Sequence, residues 1–173
     1  MAQKNLIIFT ESYPYYHAAE DSFIEPEIRA CRREFSRIII IPTQLKGSRA
    51  SVFKEITVDE SFAKYLSQHS HGLVNRIWLA WRALCSRLFW EEVGSNSLIA
   101  FRPVSVIKTL RHISGALIAN DWIEQLPFKN DLFNNSTVIL TYWFNQITTG
   151  VIYLKRKCPH LTICSRAHGI DVY

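Results

Sequence analysis

The apolar positions of this chain fall into two kinds of pattern. Leu6-Ile7-Ile8-Phe9 and Ile38-Ile39-Ile40-Ile41 are short continuous apolar runs. Such runs predict strands buried on both faces, as in a parallel sheet. Between them, Ile24, Ile28, Cys31 and Phe35 recur at helical spacing, so a right-handed β-α-β unit is expected. Two starts for that helix fit the residues. Ser22 and Glu25 form a capping box, or Pro26 is the first helical residue. Residues 53–58 alternate and predict a third, more exposed strand.

From residue 61 to residue 125 the period becomes helical. Val74, Ile77, Trp78, Trp81, Leu84, Cys85, Leu88 and Phe89 make one apolar stripe, which Gly94-Ser95-Asn96 interrupts. Pro103 can open a second long helix with Val104, Ile107, Leu110, Ser114, Leu117 and Ile118 turned inward. A polar, asparagine-rich loop is expected over residues 128–136. Strand character returns in Thr137-Val138-Ile139-Leu140-Thr141-Tyr142, and Asn145 can cap a helix that Pro159 stops. Residues 161–165 predict a final strand ending in the turn Arg166-Ala167-His168-Gly169-Ile170-Asp171. The order is that of a Rossmann-like α/β fold: a doubly wound, mostly parallel sheet with helices on both faces.

Composition narrows the picture. The 173 residues suit one domain, and 48% hydrophobic against 20% charged residues argues against disorder. No apolar run approaches the roughly 20 residues that span a bilayer. No basic-then-apolar leader precedes the first strand. The net charge of +5 favours anionic partners. The arginines are dispersed and match no nucleic-acid motif, so nucleic acid is disfavoured. Cys31, Cys85, Cys158 and Cys164 lack C-x-x-C spacing, and buried reduced thiols in a cytoplasmic protein are expected. The chain contains no P-loop, no G-x-S-x-G elbow and no G-x-G-x-x-G after the first strand. His69 and His71 have no further ligand at metal-site spacing, so no metal or resident cofactor is expected.

Ligands of doubly wound sheets bind beyond the carboxyl ends of the strands. The loop of residues 11–22, the turn of residues 142–145 and the turn of residues 166–171 each follow a strand. Parallel strands bring all three to one edge.

Two segments carry a resemblance. One is Phe9-Thr10-Glu11-Ser12-Tyr13-Pro14 continuing into Glu20-Asp21-Ser22-Phe23-Ile24-Glu25-Pro26-Glu27-Ile28. The other pairs Thr141-Tyr142-Trp143-Phe144 with Ser165-Arg166-Ala167-His168-Gly169-Ile170-Asp171-Val172-Tyr173. Together they resemble the amino-terminal, acceptor-side domain of family-4 GT-B glycosyltransferases that build bacterial capsule, exopolysaccharide or lipopolysaccharide. Thr141 stands where that family usually has serine, and the tyrosine-rich loop lacks the glycine pair of many relatives.

The resemblance implies one half of a two-domain enzyme. This half holds a sugar or lipid-linked saccharide acceptor. A donor-binding domain after Tyr173 would hold a nucleotide sugar as co-substrate, and transfer would retain anomeric configuration without a metal. Residues 1–173 would form a single N-terminal domain, inactive alone, cytoplasmic or peripheral at the inner face of the membrane. His168 would line the cleft near the transferred sugar, or else pack under the interdomain seam. Gly169 allows close backbone approach. Asp171 would order the loop or the His168 ring, or simply cap the loop. Tyr13, Tyr15, Tyr16, Tyr142 and Trp143 offer flat faces that suit sugar C–H groups, or plain packing. Glu20 either bonds acceptor hydroxyls or, with Asp21, caps the first helix. Arg166 meets a phosphate or stays solvated. The Trp78 stripe, flanked by Arg76, Arg82 and Arg87, is either a core helix or a face for an anionic membrane surface.

Overall fold

The computed structural model describes residues 4–15, 20–96, 98–126 and 136–166. Five strands form one parallel sheet: β1 (Asn5–Thr10), β2 (Arg37–Pro42), β3 (Ile56–Val58), β4 (Thr137–Thr141) and β5 (Thr162–Ser165). Their spatial order is β3-β2-β1-β4-β5. β1 lies at the centre, with Ile7 opposite both Ile39 and Ile139. The fold is α/β and Rossmann-like, as the alternating runs predict. The third strand is shorter than expected, since only residues 56–58 pair with β2.

A central parallel strand is covered on both faces, and alternate residues of β1 join different cores. Leu6 and Ile8 pack with Ile38, Ile40, Ile24 and Ile28 beneath α1 (Asp21–Cys31). Ile7 and Phe9 pack with Ile39, Phe62, Trp122, Ile139 and Val151 on the other side. That side is covered by α2 (Ser61–Ser70), α6 (Pro103–Gln125) and α7 (Gln146–Lys155). Between α2 and α6 lie α3 (Leu73–Leu84), α4 (Arg87–Ser95) and α5 (Leu98–Phe101).

Several sequence expectations are corrected. α1 begins at Asp21, earlier than either start predicted from the residues, and carries Pro26 inside it. Its N-cap residue is Glu20, and no side chain caps the helix. The apolar stripe of α3 is not core. Val74, Ile77, Trp78 and Trp81 are 79%, 62%, 58% and 59% exposed, and the buried residues of α3 are Leu79 and Ala83. On α6, Val104 and Ile107 face solvent, while Ile113, Ala116, Ala119, Trp122 and Ile123 carry the burial. Among the cysteines, all of them free thiols, Cys85 and Cys164 are exposed rather than buried.

The reason for the inversion on α3 and α6 is length. α6 has 23 residues, about 34 Å at a 1.5 Å rise, against strands of three to six residues. Its second half packs on the sheet and its first half overhangs. Gly115 of α6 lies against Gln146, the first residue of α7, and Gly150 of α7 against Ala116 and Ala119. α7 starts just beyond the carboxyl end of β4. His112 of α6 already meets Thr149 of α7, so residues 103–111 are the part of α6 that precedes this packing. α3 is held alongside by Ser114 Oγ donating to the Leu79 carbonyl (3.2 Å) and by the Arg82–Asp121 pair (2.6 Å).

Candidate functional site

The carboxyl edge at the centre of the sheet is where the chain order switches from β1–β2 to β1–β4, the position at which doubly wound sheets bind ligands. The backbone there is knitted across strands. Tyr142 N–H donates to the Phe9 carbonyl (2.9 Å), and Arg166 N–H to the Thr141 carbonyl (3.0 Å). The described parts of the three loops meet on one edge.

Glu20 organises this rim. Its side chain is 2% exposed, and both carboxylate oxygens are filled from within. Oε1 accepts from Glu11 N–H (2.8 Å) and from the Trp143 indole N–H. Oε2 accepts from Ser12 N–H (3.0 Å) and Tyr13 N–H (3.1 Å). A buried carboxylate is tolerated when it is hydrogen-bonded in this way. The same engagement explains why Glu20 does not cap α1 although it stands at the N-cap. Asp21, next to it, keeps one buried oxygen without a partner. Burial, then the Glu25 and Glu20 charges, push the Asp21 carboxyl above its ordinary value.

The aromatic candidates divide. Tyr13, Tyr15 and Tyr142 are buried. Burial, followed by the Glu25 and Asp21 charges, pushes the Tyr13 phenol up to about 12. Tyr15, also raised to about 12 mainly by burial, donates its hydroxyl to Glu60. The Tyr142 hydroxyl accepts from Arg166 (2.8 Å), whose guanidinium also pairs with Glu27 and lies 5.3 Å from the Tyr142 ring centre. Arg166 is thus neither unpaired nor fully buried. Trp143 is half-buried on Glu20. Among the described residues, Phe144 and Phe23 carry aromatic rings open to solvent near this edge, and residue type and spacing had singled out neither as a site residue.

β4 and α7 are joined by hydroxyls. Thr148 Oγ1 donates to Thr141 Oγ1 (2.8 Å) and approaches the Trp143 carbonyl (2.7 Å). Asn145 accepts from Ile147 N–H (2.9 Å), the cap its position predicts. Thr141, placed where the resembling family has serine, keeps the hydroxyl this junction uses.

One strand away, a cleft of about 670 Å³ opens between the segment after β2 and α2. Thr43, Gln44, Lys46, Lys64, Ser67 and Gln68 are among its lining. Gln44 Nε2 donates to Glu11 Oε1 (3.0 Å), which ties the cleft to the β1 loop. Leu45, Ala63 and Leu66 complete the lining, so the cleft pairs apolar wall with polar and basic groups, a mixture usual for small-molecule sites. Sequence patterning had passed over these residues because they belong to no motif; their position after a parallel strand was the available signal. Tyr16, His168, Gly169 and Asp171 lie outside the described residues. Among the described residues, no cluster of three or more His, Cys, Asp or Glu side chains could hold a metal ion.

No family model, curated protein or solved structure matches the chain.

Proposed function

We propose that this chain is the acceptor-side half of a GT-B glycosyltransferase, using a nucleotide sugar held by a separate donor domain to elongate a bacterial surface polysaccharide. One observation carries the reading: the described residues that follow β1, β4 and β5 share the carboxyl edge at the switch point, where Trp143 meets Glu20 and Arg166 meets Tyr142. The motif residues around them resemble family-4 glycosyltransferases, and the adjacent cleft offers hydroxyl, amide and amine groups among apolar side chains. In this reading the Glu20 clamp positions the β1 loop, while the cleft and the segment containing His168 receive the acceptor.

The test is sugar-nucleotide turnover by a longer chain that continues into a donor domain. Turnover that falls at least 100-fold in His168→Ala supports the reading, a loss of the size expected for a group acting in the transition state (about 10²–10⁴). An unchanged rate removes His168 from the site. A longer chain with no donor domain and no turnover leaves a non-catalytic saccharide-binding module on the same fold.

A further inference from the structure

The net charge of this protein is concentrated in one region. Residues 73–111 hold six Lys and Arg but only two Asp and Glu, a net charge of +4 out of the +5 of the whole chain. This stretch runs from α3 into the first half of α6, and many of its exposed side chains are apolar. Leu73, Val74, Ile77, Trp78 and Trp81 lie along one side of α3. Phe101 of α5 and Val104 and Ile107 of α6 are likewise open, Phe101 at 80% exposure. Lys108 and Arg111 follow at helical spacing on the Val104–Ile107 side of α6. Neither has an ion-pair or hydrogen-bond partner among the described residues. The two acids of the stretch sit on α4, where Glu91 is engaged by Arg87 and Arg156.

We infer that this face docks on an anionic lipid bilayer. Indole rings and aliphatic side chains interleaved with Lys and Arg, with no carboxylate on α3, α5 or residues 103–111 of α6, match the apolar-to-polar gradient at a headgroup boundary. A second copy of the chain is the poorer occupant, because pairing the same face brings positive charge against positive charge. The face belongs to residues 73–111. The helices are too short or too polar to cross a membrane among the described residues, so the contact is superficial. The inference stands apart from the proposed sugar chemistry and needs no turnover to be examined.

The experiment is co-sedimentation of the chain with vesicles of phosphatidylcholine alone and of phosphatidylcholine mixed with phosphatidylglycerol. Binding to the mixed vesicles, with a blue shift of tryptophan emission, is expected. It should weaken strongly at about 1 M salt, where the screening length is about 3 Å. Lys108→Gln with Arg111→Gln should lower partitioning roughly 25-fold, about fivefold for each charge near an anionic surface. Trp78→Ala with Trp81→Ala should lower it by roughly tenfold or more. Unchanged circular dichroism shows that these exposed-site variants fold. The inference is overturned by absence of binding to mixed vesicles at low salt, or by binding that both double variants leave intact. It is equally overturned by a dimer in sedimentation equilibrium that the tryptophan variant dissolves while vesicles bind nothing.

Discussion

The rim of the sheet and the overhanging helices use aromatic residues in opposite ways. At the rim, Tyr13, Tyr15 and Tyr142 are enclosed, and their hydroxyls or neighbouring amides are drawn into a network around Glu20 and Arg166. On α3, Trp78 and Trp81 stand in solvent. Both sets looked alike as sequence: aromatic residues beside charged ones. The difference comes from what lies behind each. A rim residue has a strand on one side and a loop folded over it. An α3 residue has other helices behind it, chiefly α6, and no loop folded over it. Aromatic character therefore marks the edge of the core in one place and a contact surface in the other.

The most severe way to break the rim is Glu20→Ala. It strands three loop amides and one indole, each costing about 1–3 kcal/mol when buried without a partner. A loss of about 3 kcal/mol or more is expected in urea unfolding; a midpoint close to that of the unaltered chain would mean the loop does not depend on the clamp. The overhang is anchored where α7 meets α6, and a Cβ on Gly150 would come within 2.7 Å of the Ala116 carbonyl. Gly150→Ala should cost about 1–3 kcal/mol, as overpacking does. Gly115→Ala, which meets only the flexible Gln146 side chain, should cost visibly less, and equal losses would contradict that contact.

His112 sharpens the contrast on the overhang side. Burial holds its imidazole below the ordinary histidine value, and its Nε2 lies 2.8 Å from Thr149 Oγ1. The neutral ring is favoured in the fold, so its stability contribution is whole above about pH 6.5 and is lost as pH falls through the lowered folded value. Thermal melts should decline over that acidic window, and His112→Gln should flatten the decline.

Asp21 is the rim's counterpart, with the opposite sign. Its raised folded pKa penalises the ionised form, so Asp21→Asn should stabilise the chain at neutral pH. That gain should vanish once pH falls below the ordinary carboxylate value, about 3.9. A gain that persists in acid would assign the effect to something other than charge. Last and smallest, Trp78→Ser on the open face of α3 should shift stability by only about 0.5 kcal/mol or less, measured by the same urea titration. A larger loss would place that ring in the core.

Much of the fold was legible because it is written in local pattern. The runs at residues 6–9 and 38–41 can only be doubly buried strands, Asn145 caps the helix its position predicts, and Pro103 opens α6. The meeting of three loops on one edge followed from strands being parallel, a rule of connection rather than of contact. The start of α1 was not legible. Its residues hold two valid start signals, and the structure uses neither, since the Glu20 carboxylate is claimed by amides nine, eight and seven residues upstream and by an indole 123 residues downstream.

What the sequence determined alone is therefore periodicity: which segments are strands, which are helices, and that they alternate into a parallel sheet. Only the tertiary structure decided which apolar faces are covered. A helical stripe has the same pattern whether a sheet or water stands opposite. The 23 residues of α6 set against a five-residue β4 left the sheet too short to cover all that the pattern offered.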